Sequence, residues 1–399
     1  MKTRVAVLFG GNSVEHEVSI ITGIQAFCAL NRDKYDVIPL YLSKNNRFYT
    51  GEHMGQIESY RDMKTCLARA TQVLLVPSTQ GVEMIRYPAK RFGNNTVGTI
   101  DVVLPAVHGT NVEDGTLMGY LELLGVPYAA CDVTSSAVGM DKYLMKSALK
   151  DAGVPVLSAL SFSGKAYAQN SDAVIEQIEA EIGYPVIVKP VNLGSSVGIS
   201  RADTRERLVQ ALDTAFEFSA RALVERAVSH LREINCSVLG DRDGARASVC
   251  EEPVNSDEIL SFKDKYLGGG KNSKGGKAGG MSSLKRRCPA DIPDDLTEQV
   301  QSLAVKTFVA LGCSGVSRID FLNDTETGEL WVNEINTIPG SLSFYLWEAA
   351  GLPFDRLLDE MIALALKRQR DRESLTFSYD SNILSAVSLG GAKGAKSGK

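Results

Sequence analysis

The residues best suited to chemistry lie between Gly315 and Gly340: Arg318 and Asp320 in Ser317-Arg318-Ile319-Asp320-Phe321, then Glu334 and Asn336 in Trp331-Val332-Asn333-Glu334-Ile335-Asn336-Thr337-Ile338-Pro339-Gly340. Two carboxylates and a carboxamide oxygen suit Mg²⁺ (or Mn²⁺), hard cations that bind through one or two carboxylates and complete their shell with water and phosphate oxygens. Arg318 beside them would hold a second anion. Taken singly, each carboxylate also reads as an ordinary charge on a solvated strand; three oxygen donors in one hairpin point to a metal.

The donors converge only if the two segments are neighbouring strands. Apolar and polar residues alternate through Ser317 to Phe321, and Leu330 to Ile335 repeats the pattern beyond a turn at Asp324 to Gly328, so a hairpin is expected. Period two puts Asp320 on the face of Arg318, and Glu334 on the face of Asn336 and Val332.

Upstream, Arg4 to Gly11 reads as an apolar strand ending in Gly-Gly, and Glu17 to Leu30 as a helix, with Glu15 in the turn between them. Strands at Tyr35 to Leu42 and Asp101 to Val107 complete the opening of a doubly wound parallel sheet, in which ligands collect at the carboxyl ends of strands. The stretch from Ser43 to Gly98 fits no clear element. His108 follows the third strand, at a ligand-binding end. Glu113 and Asp114 precede the helix Thr116 to Leu124, where they serve either its dipole or a substrate.

Helix Met140 to Ala152 carries Lys142 in its first turn, against the dipole, which favours a ligand role. The strand Tyr184 to Pro190 ends in Lys189, before the glycine and hydroxyl loop Gly194-Ser195-Ser196-Val197-Gly198. That loop can fold over phosphates or be a plain hairpin turn. Glu225 and Glu233 flank a connection between strands Ala222 to Arg226 and Arg232 to Leu239. They could accept from an adenine amino group or a ribose hydroxyl, or be solvated strand ends. Between Ser261 and Arg287 eight basic residues alternate with glycines, the composition of a surface insertion or of a lid over an anionic substrate. Helices at Ala173 to Ile182, Leu208 to Phe218, Leu296 to Leu311 and Asp355 to Lys367 complete the fold, and the Gly/Lys-rich end from Gly390 is expected to be disordered.

The 399 residues allow two or three domains, and 44% hydrophobic with 23% charged residues is a globular mix. A net charge of −5 argues against nucleic acid. No apolar run is long enough for a membrane span, and the N-terminus reads as a strand rather than a signal peptide. The seven cysteines lack CxxC spacing, which implies reduced thiols in a cytoplasm and no zinc site. Cys236 and Cys313 read as buried structural residues.

Together these motifs resemble the D-alanine:D-alanine ligase family of ATP-grasp enzymes. The likeness runs from Val7-Leu8-Phe9-Gly10-Gly11 and Glu15-His16-Glu17-Val18-Ser19, through His108-Gly109, Glu113-Asp114-Gly115, Asp141-Lys142, Pro185 to Pro190, Gly194 to Gly198 and Arg232-Glu233-Ile234, to Arg318-Ile319-Asp320, Asn333 to Thr337 and Pro339-Gly340.

The resemblance implies an α/β fold, α+β in its ATP-grasp part. Residues 1–130 would form a Rossmann-like substrate domain, 131–221 and 222–370 two ATP-grasp subdomains with a lid at 261–290, and 371–399 a tail. It implies that ATP phosphorylates one D-alanine and that the amine of a second attacks the acyl phosphate, for peptidoglycan synthesis. By position, Lys142 and Lys189 would meet phosphates, Glu225 and Glu233 adenine and ribose, with Ser196 and Lys265 also at the nucleotide. Asp320, Glu334 and Asn336 would hold the metal, and Arg318 with the Gly340 N–H would form an oxyanion hole. Glu15, aided by His108, would hold the first ammonium, and Ser195 and Tyr266 would join Glu15 to close the lid. The family also suggests a cytoplasmic homodimer.

Three departures stand out. Val112 replaces a glycine and Met118 a usual glutamine, the lid is longer, and the segment Ser341 to Trp347 after Gly340 is shorter than the family's acceptor segment. Ser343 is the acceptor candidate there. D-Alanine:D-serine or D-lactate ligation is therefore the alternative, with a non-catalytic ATP-binding protein as a third reading; Tyr266 after Lys265 favours an amine acceptor.

Overall fold

The computed structural model describes residues 2–194, 197–253 and 286–378. The expected lid residues Lys265 and Tyr266, and Ser195 and Ser196 of the phosphate loop, lie outside the described residues.

The described residues form three sheets. The first has the order β6-β5-β4-β3-β2-β1-β7. Its strands are β1 (Thr3–Gly10), β2 (Tyr35–Leu42), β3 (Phe48–Thr50), β4 (Thr71–Ser78), β5 (Gly81–Arg86), β6 (Thr96–Ile100) and β7 (Val102–Pro105). Only β2, β1 and β7 are parallel. Val5 to Phe9 of β1 are wholly buried, as a central strand covered on both faces must be. The stretch that fitted no element in sequence, Ser43 to Gly98, supplies an antiparallel extension, β3 to β6. Its strands were hard to read because one face is solvated: Leu74 and Val76 are exposed while Val73 and Leu75 are buried.

The second sheet, ordered β10-β9-β11-β8, comprises β8 (Ala159–Ser163), β9 (Val186–Pro190), β10 (Ser200–Ala202) and β11 (Arg221–Arg226). The third, ordered β14-β13-β12-β15-β16, comprises β12 (Leu231–Asp241), β13 (Gly244–Pro253), β14 (Arg286–Arg287), β15 (Gly315–Asp324) and β16 (Leu330–Asn336). Helix Asp294–Ala310 packs on the third sheet through Val300, Ala304 and Phe308. The long helix Phe354–Glu373 returns to the first sheet, where Arg368 donates to the carbonyls of Ala130 and Tyr128 at 2.7 and 2.6 Å. All seven cysteines are free thiols, and Cys236 and Cys313 are buried as expected.

Helix His16–Ala29 lies so close to β1 that a Cβ on Gly23 would stand 2.4 Å from the Phe9 Cβ. Replacing a helical glycine by alanine ordinarily gains about 1 kcal/mol, whereas forcing a methyl into a packed core costs about 1–3 kcal/mol. Gly23→Ala is therefore expected to lower the thermal unfolding midpoint by a few degrees, read by circular dichroism; a rise would show that the contact relaxes freely.

Candidate active site

The hairpin of β15 and β16 forms as the alternation predicts, with Arg318 opposite Asn336 and Asp320 opposite Glu334. One feature differs. A bulge after Asp320 sets Phe321 opposite Val332, leaving Asn333 as the extra residue. Val332 therefore joins Ile335 and Phe321 in the core, not the face of Glu334. Bulges re-aim side chains beside sites, and here the Asn333 Oδ1 accepts from Lys189 Nζ at 2.9 Å.

Arg318 grips Asp320 side-on, Nε to Oδ1 at 2.6 Å and Nη2 to Oδ2 at 2.7 Å. The Asn336 Nδ2 donates to the same Oδ2 at 3.1 Å, which leaves the amide oxygen for another partner. Burial pushes the Asp320 carboxyl upward and the charge of Glu334 adds to it, while Arg318 pulls the other way. A cation between these residues would relieve the repulsion between the two carboxylates. Among the described residues no three His, Cys, Asp or Glu gather as a self-sufficient metal cage. Two carboxylates and an amide oxygen fit a cation whose shell is completed by phosphate and water.

The lysines come from two further elements. Met140 ends one helix, and Asp141 caps the next, Lys142–Asp151, by accepting from the N–H groups of Tyr143 and Leu144. Lys142 thus opens a helix rather than lying inside one. Its ammonium reaches Glu334 Oε2 at 3.1 Å and the Leu193 carbonyl at 2.9 Å. One turn on, Lys146 binds Glu225 Oε2 at 2.9 Å, and Lys189 binds Glu225 Oε1. Glu225 is 1% exposed. Burial opposes its charge, but Lys189 and Lys146 overcome it and hold the carboxyl at about 2. Glu225 is therefore not a solvated strand end: its carboxylate is engaged by two ammoniums. Lys146 escaped the sequence reading, although its spacing of four from Lys142 puts both on one helix face. Glu233 lies on β12, on the far side of the connection from Glu225.

At the carboxyl end of β1, Glu15 is buried between two glycines: a Cβ on Gly109 or on Gly194 would come within 2.8 or 3.0 Å of its Oε2. Val112 packs on Gly11, within 2.5 Å of where a Cβ would stand. His108 is buried, and burial, aided by Arg318, lowers its pKa to about 4. As the neutral ring it donates from Nδ1 to the Ile338 carbonyl at 2.9 Å, and its Nε2 accepts from the Thr22 hydroxyl at 2.8 Å. Thr22 Oγ1 in turn accepts from the Ser341 N–H at 3.0 Å. Both ring nitrogens are thus engaged by the protein, and His108 positions the loop that carries Gly340. Ser343 is fully buried in that loop, and its Oγ finds no hydrogen-bond partner among the described residues.

Glu113 serves neither the dipole nor a solvent-facing role. It lies outside the helix, buried, and accepts from the N–H groups of Ile338 (2.9 Å) and Gly109 (3.1 Å) and from the Thr337 hydroxyl (3.3 Å). Asp114, by contrast, accepts from Thr116 N–H at the helix start.

Comparison with known proteins decides the family. Residues 4–131 match the model described as D-ala D-ala ligase N-terminus, and residues 148–363 the one described as D-ala D-ala ligase C-terminus. The chain belongs to the D-alanine–D-alanine ligase family. A D-alanine–D-alanine ligase of Acetivibrio thermocellus is 37% identical over 93% of this chain and 97% of its own length. One from a Thermoanaerobacter species is 39% identical over 93% and 98%. Among solved structures, the ligase of Coxiella burnetii superposes with a TM-score of 0.77 at 29% identity, covering 93% of this chain and 96% of that one. The VanG D-Ala:D-Ser ligase of Enterococcus faecalis gives 0.74 at 30%, covering 92% and 100%. The mixed first sheet followed by two antiparallel sheets is thus an α/β, ATP-grasp ligase fold.

Burial, with the charge of Glu15 adding to it, raises the Glu113 pKa to about 8. A carboxyl that keeps its proton when folded loses stabilisation as pH rises from the unfolded value to the folded one. Relative to Glu113→Gln, which is neutral throughout, the wild type is expected to lose thermal stability between about pH 5 and about pH 8. Parallel melting curves across that range would show Glu113 to be ionised in the fold.

Proposed function

We propose that this chain joins two D-alanines into D-alanyl-D-alanine, using ATP, for peptidoglycan precursor synthesis. One observation carries the reading beyond family membership. Arg318, Asp320, Glu334 and Asn336 meet on one hairpin with Lys142 reaching across to Glu334, so cationic and oxygen-donor groups gather where phosphates and a carboxylate must be held together.

When bound, ATP supplies the phosphoryl group that activates the first carboxylate, and Mg²⁺ or Mn²⁺ screens the charge. Asp320, Glu334 and Asn336 are the residues we assign to that cation. Lys142 and Lys189 are assigned to phosphates, with Ser196 and Lys265 beside them. Glu225 fixes Lys189 and Lys146 in place, a role we add to its expected nucleotide contact, and Glu233 is assigned to the ribose. Arg318 and the Gly340 N–H would stabilise the oxyanion that forms when the second amine attacks, donors set before the charge appears. The new C–N bond replaces the bond to phosphate, which leaves as the amine gives up a proton. Glu15 would hold the first ammonium, with Ser195 and Tyr266 joining it, and His108 would act through the loop it positions. We also infer a cytoplasmic homodimer, as the family resemblance implies; no helix among the described residues is long and apolar enough to cross a membrane.

Phosphate release should require D-alanine. Faster release on adding D-serine or D-lactate to limiting D-alanine would favour the alternative acceptors. Glu334→Ala should cut turnover per folded molecule about 10²-fold or more and also lower the unfolding midpoint, because it leaves the buried Lys142 ammonium without its carboxylate; a variant that turns over normally would remove the metal assignment.

A further inference from the structure

The segment after Gly340, which the resemblance gives to the acceptor, has a distinctive backbone in this chain. Three consecutive residues, Ser341, Leu342 and Ser343, take left-handed backbone angles with φ of 53°, 51° and 51°. Helix Phe344–Ala349 then starts at once, and Tyr345 lies against the third sheet. Its hydroxyl donates to Glu251 Oε1 at 2.9 Å, and the Asn235 amide donates to the same oxygen at 3.0 Å. Arg286 Nη1 donates to Glu251 Oε2 at 2.9 Å, and its guanidinium lies 4.1 Å from the centre of the Tyr345 ring.

Both oxygens of Glu251 are thereby engaged, but Arg286 has donors to spare. Its Nε and Nη2 are both buried and have no hydrogen-bond partner among the described residues. These two nitrogens form the side-on edge of the guanidinium, whose parallel N–H groups match the two oxygens of a carboxylate. Arg318 uses the same edge on Asp320. Register places Arg286 on the reacting face of the sheet. Arg286 pairs with Pro253, two residues from Glu251; Glu251 pairs with Asn235, Asn235 with Asp320, and Asp320 with Glu334. All therefore share one face of the third sheet.

We propose that Arg286 receives the carboxylate of the second amino acid through its Nε–H and Nη2–H pair. The inference rests on the ligase reading above. It makes Arg286 a specificity residue: an acceptor without a carboxylate leaves two buried donors unmet, and such sites discriminate strongly. A purely structural Arg286, pairing with Glu251 alone, would affect all acceptors alike.

The test is a competition in one vessel, with ATP, D-alanine and D-alaninamide, quantifying D-alanyl-D-alanine against D-alanyl-D-alaninamide. The product ratio reads acceptor choice and is independent of the fraction of folded enzyme. The wild type should favour D-alanine, and Arg286→Gln should lower that preference about 10- to 100-fold. Arg286→Lys, which keeps the charge beside Glu251, should fall between them and supplies the reading if the glutamine variant does not fold. An unchanged ratio in both variants, or a wild type indifferent to the amide, overturns the role of Arg286 alone. A wild type that makes neither product overturns the ligase reading itself.

Discussion

Buried charge has to be matched, and the architecture of this site follows from that requirement. A lone ion taken out of water is destabilising by several kcal/mol, yet Asp320, Arg318, Glu225, Lys142, Lys146 and Lys189 are all largely buried. Each is tolerated because an opposite charge stands at hydrogen-bonding distance, on the same strand for Arg318 and Asp320 and on another strand or helix for the lysines, Glu225 and Glu334. Lys189 from the second sheet meets Glu225 on the adjacent strand and Asn333 on the third sheet, and Lys142 from a helix meets Glu334. For the lysines compensation therefore runs between elements, and the pairs that neutralise one another also fix the second and third sheets in relation to the helix Lys142–Asp151.

A second set of bonds joins the first sheet to the loop that ends β16. Glu113, His108 and Thr22 hold the backbone of Ile338 and Ser341, with Thr337 added through its hydroxyl. These bonds oppose a real cost. Left-handed angles are unfavourable by about 1–2 kcal/mol for each non-glycine residue, and three such residues follow in a row. Net hydrogen bonds worth about 1 kcal/mol each, together with burial of Leu342 and Trp347, are of the size needed to hold the turn. Strained backbone of this kind gathers where function demands a particular shape.

Much of this was legible in the sequence. The β15–β16 hairpin announced itself because alternation and a polar turn are local signals, and the parallel strands did so because a doubly covered strand is continuously apolar. What stayed hidden depended on distant partners. Glu113 stands near a helix start and so invites a dipole role, whereas two of its three donors lie more than two hundred residues away, at Thr337 and Ile338. Strand β13 was not read, since Arg246, Ser248, Glu251 and Glu252 break its apolar pattern, and with it went the charge network around Glu251. The bulge at Asn333 likewise leaves no trace in alternation, yet it decides which side chain meets Lys189.

The hydrogen-bond chain through His108 has a directional order. Ser341 gives its N–H to Thr22, Thr22 gives its hydroxyl proton to Nε2, and Nδ1–H goes to Ile338. Every link is used once, so the imidazole works as a tether indifferent to acidity across neutral and mildly acid conditions. Only below about pH 4, where the ring takes a second proton, would Thr22 face a donor where it now meets an acceptor, and that one link would have to invert while the Ser341 N–H and the Ile338 carbonyl keep their roles. In this fold a residue type usually associated with proton traffic acts as a fastener.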